Sequence, residues 1–125
     1  MKVIIAGSRT IHTYNLVAEA IRRSGFDIDE VVCGMGLGAD QVGFNWAQNK
    51  NKPVKEFPAD WKAHGRAAGP IRNKKMAAYA DAAIIVWDGQ SRGSRNMIDE
   101  MIRAKKPYYV HMVESKLTID DFLEK

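Results

Sequence analysis

Cysteine is nearly missing from this chain. Cys33 is the only one in 125 residues. An internal disulfide is therefore impossible, and a cysteine-built zinc site is not expected. Histidine is scarce as well. His12, His64 and His111 lie far apart, and none has a partner at metal-ligand spacing, so no protein-held metal is expected. Long apolar runs are absent. The longest, Ala82–Trp87, falls far short of the ~20 residues that cross a bilayer, and no membrane partner is expected. Lys2 is followed at once by a strand-like VIIAG, without a signal-peptide apolar core or a small-residue cleavage site, which points to the cytoplasm. No G-x-S-x-G elbow occurs, and Cys33 has no histidine near it in sequence, which argues against a covalent hydrolase. Linkers, internal repeats and low-complexity tracts are missing too.

What is present describes a globular chain. It is 46% hydrophobic and 27% charged, which excludes disorder and fibrous classes. Its length suits one domain over residues 1–125, large enough to form a core without staples. The net charge is +4, but the excess is local. Residues 50–75 hold eight basic side chains (Lys50, Lys52, Lys55, Lys62, Arg66, Arg72, Lys74, Lys75) against Glu56 and Asp60, a net of +6, which leaves −2 elsewhere. Such a segment favours an anionic partner, either a phosphate ligand or nucleic acid, or it is a solvated lysine face.

Strand-like and helix-like segments alternate. KVIIA (Lys2–Ala6), EVVC (Glu30–Cys33), Val54–Phe57, AAIIVW (Ala82–Trp87) and PYYVHMV (Pro107–Val113) read as five short strands, several of them apolar throughout. Helical spacing is read over Thr13–Arg23 with Gly25 as its stop, over Ala39–Gln48, from Pro70 to Tyr79, and over Asn96–Ala104. Thr118–Leu123 reads as a short terminal helix. Pro58–Gly69 is long for a connection and suits a lid. This alternation predicts a single Rossmann-like, doubly wound α/β domain of about five mainly parallel strands, with helices on both faces. Ligands of such folds sit beyond the carboxyl ends of the strands.

The segments after three strands are unusual. Gly7-Ser8-Arg9-Thr10 follows the first. Gly34-Met35-Gly36-Leu37-Gly38-Ala39-Asp40 follows the second. Asp88-Gly89-Gln90-Ser91-Arg92-Gly93-Ser94-Arg95-Asn96 follows the fourth. Glycines let backbone N–H groups approach an anion, and helix N-termini add a favourable dipole. Hydroxyls of Ser8, Ser91 and Ser94 and guanidinium groups of Arg9, Arg92 and Arg95 suit phosphate oxygens. The glycine loop is neither a Walker A loop nor a full dinucleotide fingerprint. Convergence of all three loops on one sheet edge predicts a phosphate-bearing ligand. Asp40 is either a helix cap or a ligand contact. Asp88 either bonds a ribose or caps its turn. Trp61 and Trp87 either stack on a base or pack in the core.

The order of these segments resembles the small YspA/cpYpsA-related family of the SLOG superfamily, named for the Smf/DprA and LOG proteins. Its marks are Gly7-Ser8-Arg9, Cys33–Asp40, Phe57–Trp61, His64–Met76 and Trp87–Ser94. The resemblance implies a Rossmann-like fold and a nucleotide pocket drawing on Gly7, Ser8, Arg9, Gly34, Gly36, Gly38, Asp40, Trp61, Arg72, Asn73, Asp88, Gly89, Ser91, Arg92, Gly93, Ser94 and Asn96. Small members occur in bacteria and phages, so host cytoplasm is the expectation if the chain is phage-encoded. Superfamily relatives include phosphoribohydrolases, sensors of ADP-ribose-type signals and DprA-like proteins that bind single-stranded DNA. They are commonly oligomers, so a homo-oligomer is expected.

Phosphoribohydrolases carry an Arg-Lys pair before a methionine helix, which Arg72-Asn73 and Met76 resemble here, and a P-G-G-x-G-T-x-x-E loop, resembled by Asp88–Ser94. Three residues beyond Ser94 stands Met97, not the expected glutamate. Methionine cannot stabilise an oxocarbenium-like state or position water. Binding as a sensor or sponge, without a cofactor, is therefore favoured over cleavage. If cleavage occurs, Arg72, Asp88 and Glu100 are the catalytic candidates, with Asp40 and Asp60 as substitutes. Single-stranded nucleic acid on the basic segment is the third reading.

Overall fold

The computed structural model describes residues 1–113. Five strands form one sheet: β1 (Lys2–Gly7), β2 (Glu30–Cys33), β3 (Val54–Glu56), β4 (Ala82–Trp87) and β5 (Tyr108–Met112). Their order is β3-β2-β1-β4-β5, and every pairing is parallel. The helices between them are α1 (Tyr14–Ser24), α2 (Ala39–Asn49), α3 (Trp61–His64), α4 (Ala68–Tyr79) and α5 (Arg92–Ala104).

The apolar strands are buried on both sides, and alternate residues serve opposite faces. Val3 and Ile5 of β1, with Ile84 and Val86 of β4, pack against Val17 and Ile21 of α1 and Val42 and Trp46 of α2. Ile4 and Ala6, with Ala83 and Ile85, pack against Met76 of α4 and Met97 and Met101 of α5. This is the Rossmann-like arrangement expected. The chain leaves β1 toward β2 on one side and later returns to β4 on the other. β1 and β4 therefore flank the topological switch point, where such sheets open a crevice.

Gly25 ends α1 in a left-handed conformation, as read from the sequence. Two helix starts differ from expectation by more than one residue. Helix α5 begins at Arg92 rather than Asn96, because Ser91 caps it by accepting the Ser94 N–H. Gly93, Ser94 and Arg95 are thus helical, not loop. Helix α4 begins at Ala68, so Pro70 is its third residue; no N–H is needed in a first turn, and proline fits there. The connection before it is not irregular throughout. It carries α3, capped by the Asp60 carboxylate on the Ala63 N–H, and a 3₁₀ turn over Gly65–Ala67. The helix expected at Thr118–Leu123 lies outside the described residues. Among the described residues, no helix is long and apolar enough to cross a membrane, and no group of three or more His, Cys, Asp or Glu side chains could hold a metal ion.

Candidate functional site

A cavity of about 780 Å³ opens at the switch point. Its size is that of a small-molecule site. Ala6 and Gly7 at the end of β1 form part of its floor, and Asp88 after β4 lies beside them. The first turn of α5 supplies one wall through Ser91, Arg92, Gly93, Ser94 and Asn96. Met35, Gly36, Leu37 and Asp40 supply another, and Arg72, Asn73 and Met76 of α4 a third.

The α5 wall has the form of an anion cradle. Among the described residues, the Arg92 and Gly93 N–H groups find no protein acceptor. Such free N–H groups at a helix start carry partial positive charge. A Cβ at Gly93 would meet no atom within 4 Å, so the protein's own packing does not require glycine there. Gly7 and Gly38 differ. A Cβ at Gly7 would strike the Val86 carbonyl, and one at Gly38 the Ser8 and Arg9 carbonyls. Those two glycines serve close backbone packing.

Four arginines line the cavity: Arg9, Arg66, Arg72 and Arg92. Two carboxyl groups, Asp40 and Asp88, oppose them. Arg72 is anchored. Its Nη1 donates to the carbonyls of Gly34 and Phe57, and its Nε donates to Asn73 Oδ1 at 2.9 Å. Asn73 in turn donates to Asn96 Oδ1 at 2.9 Å, tying α4 to α5 across the site.

The two acids have opposite characters. Asp88 Oδ1 accepts the N–H groups of Gln90 and Ser91 at 2.8 and 2.9 Å, and these hold its carboxyl below the usual carboxylate range. Its own N–H donates to Ser8 Oγ at 3.0 Å. Asp40 is buried, and burial pushes its carboxyl up, against the Gly36 N–H, Arg72, the Gly7 N–H and Arg9. Cys33, beneath the loop, is fully buried, which pushes its thiol up to about 11.

Several residues singled out from sequence lie off the cavity. Ser8 is buried behind it; Gly34 acts through its carbonyl on Arg72; Gly38 starts α2; Gly89 forms a turn at φ 83°. Glu100 is buried on α5, pairs with Arg103 at 2.7 Å and is not among the lining residues. Arg95 pairs with Asp99 and is not among them either. Asp60 caps α3. Of the two tryptophans considered, Trp61 lines the cavity and is 51% exposed, while Trp87 packs against the core and donates its indole N–H to the Ser91 carbonyl.

Thr10, Met35 and Leu37 fall in the strand-end loops read from the sequence, outside its candidate contacts, and they line the cavity. Met35 and Leu37 are large apolar side chains left exposed between glycines. That oddity was the available signal. Met35 also sits at φ 61°, a left-handed conformation uncommon outside glycine.

Fold and site together define a Rossmann-like α/β protein with an arginine-lined cavity at its switch point. The sequence pattern of the YspA, cpYpsA-related SLOG family matches residues 1–64, and the chain belongs to that family. The matched part includes Gly7–Arg9 and the glycine loop but not the α5 cradle. The chain is also similar to the Gene 61 protein of Mycobacterium phage D29, 32% identical over 116 residues, covering 85% of this chain and 92% of that protein. No solved structure gives a significant match.

Proposed function

We propose that this cavity binds a phosphorylated nucleotide or nucleotide-derived ligand, of nucleoside monophosphate or ADP-ribose type, as a sensor or sponge. The observation that carries this reading is the first turn of α5. Its Arg92 and Gly93 N–H groups, without an acceptor among the described residues, and the open space over Gly93 adjoin a cavity with four arginines. A phosphate fits there by charge, dipole and hydrogen-bond direction together. Gly36 and Ser94 complete the polar lining, and Asn73 and Asn96 hold Arg72 and α5 in place. Trp61, Met35 and Leu37 form an apolar rim suited to a planar base. Membership of the SLOG family supports a nucleotide-related ligand or LOG-like chemistry.

Binding is preferred to N-glycosidic cleavage on one observation. Met97 lines the cavity and is 1% exposed, at the position the phosphoribohydrolase pattern gives to glutamate. The test is native mass spectrometry of the purified chain with nucleoside monophosphates, ADP-ribose, NAD and cyclic ADP-ribose isomers. A retained intact ligand is expected, and the same spectra report whether the chain is a homo-oligomer. Release of free base with ribose 5-phosphate would instead establish the cleavage reading. No bound species and no turnover would reject both.

A further inference from the structure

One of the two acids in this cavity is out of character with the rest of it. Asp40 is 8% exposed and lines a cavity that also presents four arginines. Yet none of the ion pairs among the described residues includes it. One oxygen, Oδ2, accepts the Gly36 N–H at 3.1 Å. A carboxylate has about four acceptor positions, and leaving them unfilled in a buried place is costly. The surroundings make room for this group. A Cβ at Gly34 or at Gly36 would come to 3.0 Å from Asp40 Oδ2. The Gly7 N–H also acts on the carboxyl, as do Arg72 and Arg9 by charge, yet neither arginine forms an ion pair with it. The Cys33 thiol bonds the Asp40 backbone carbonyl and not its carboxyl.

A carboxylate repels phosphate, so Asp40 cannot belong to the anion cradle. A ligand that fills the cavity must turn something else toward it. The other acid, Asp88, is not equivalent, because its Oδ1 is engaged by two N–H groups of its own turn.

We infer that Asp40 is the specificity-determining residue of the cavity: its carboxyl accepts a hydrogen bond from the ligand, so the site selects molecules that join an anionic group to a hydroxyl or N–H donor. This rests on the nucleotide-binding reading. In a nucleotide the donor has two sources, a ribose hydroxyl or a base N–H. A hydrogen bond to a buried charged acceptor discriminates strongly, because a ligand without the donor leaves that acceptor unpaired.

The test is a calorimetric cycle on the full chain. The probes are AMP, its 2′-deoxy and 3′-deoxy forms, purine riboside 5′-monophosphate (which lacks the exocyclic amine) and inorganic phosphate. On the wild type, one deletion should weaken binding by about 10- to 100-fold; which one it is identifies the donor. In Asp40→Ala the same deletion should cost less than about threefold. Asp40→Asn keeps an acceptor for the Gly36 N–H and serves if the alanine variant does not fold; there the penalty should fall below the wild-type value. Inorganic phosphate should bind either variant as well as the wild type or better, since a negative charge has gone.

Equal wild-type affinity for all four nucleotides would overturn the inference while leaving the nucleotide reading intact. So would a uniform loss of every probe in the variants, which would make Asp40 a mere support of its loop. Base release that Asp40→Asn abolishes at unchanged affinity would overturn it in favour of a catalytic role. If the wild type binds neither phosphate nor any nucleotide, the nucleotide reading falls, and this inference with it.

Discussion

Asp88 accepts the Gln90 and Ser91 N–H groups and so holds the turn that leads into α5. Replacing it with alanine leaves both donors to water. Asp88→Ala should cost about 1 kcal/mol of stability in urea unfolding. The pH dependence has a definite sign. Its folded-state affinity for protons is lowered, so the charged form favours folding. That contribution is present above the carboxyl's unfolded range and is lost as pH falls through the lowered folded value. The difference between wild type and variant should therefore shrink in acid; a constant difference down to acid pH would refute the assignment. Cys33 makes a separate test of burial. With no exposed surface and a thiol pushed up to about 11, it should resist iodoacetamide at pH 8.5 and react only once denaturant opens the chain. Rapid labelling of the native protein would contradict the packing beneath the glycine loop.

At the level of elements, glycines at two helix starts do different work. Gly38 precedes α2 at φ 73° with its Cα against the backbone of Ser8 and Arg9. Gly93 lies inside α5 with empty space before it. Gly38→Ala should destabilise by more than about 2 kcal/mol, because strain and a backbone collision add. Gly93→Ala should leave stability unchanged or raise it by up to about 1 kcal/mol, since alanine is the better helix former. The same substitution should weaken phosphate or nucleotide binding by about tenfold, because its methyl stands in the space the anion needs. Thermal melts and calorimetry on both variants decide this. A Gly93→Ala protein with undiminished affinity would remove the α5 cradle from the site.

Over the whole molecule, charge separates two modes of binding. Lys50, Lys55, Lys62, Lys74 and Lys75 are exposed, and no ion pair among the described residues includes any of them. Such a surface attracts polyanions weakly and with steep salt dependence. A cavity ligand is shielded from counterions and depends less on salt. Nucleotide affinity should drop by less than about tenfold between 50 and 500 mM salt, whereas affinity for a single-stranded oligonucleotide should drop by about 10³ or more. An oligonucleotide affinity that hardly changes with salt would count against phosphate tracking on this surface.

Much of this was legible along the chain. The central strands β1, β2 and β4 were visible because strands buried on both faces read as apolar runs, as AAIIVW does. Their parallel pairing followed from the helices between them. The three strand-end loops were visible from glycine, serine and arginine in close succession. The sequence also placed Met97 where related enzymes would need an acid, a matter of counting residues. What it left open were choices among equals. It offered Asp40, Asp60, Asp88 and Glu100 as acids, and Trp61 or Trp87 as a base platform. Only packing separates them, because each depends on contacts between residues distant in sequence. Helix α5 buries Glu100 and turns it away from the cavity lining, α3 takes Asp60 as its cap, the turn after β4 engages Asp88, and the glycine loop leaves Asp40 facing the cavity. Local pattern determined the elements and the loops, since propensity and periodicity act over neighbouring residues. Tertiary structure decided which side chains share one space, since burial and hydrogen-bond commitment exist only once the sheet and its helices are assembled.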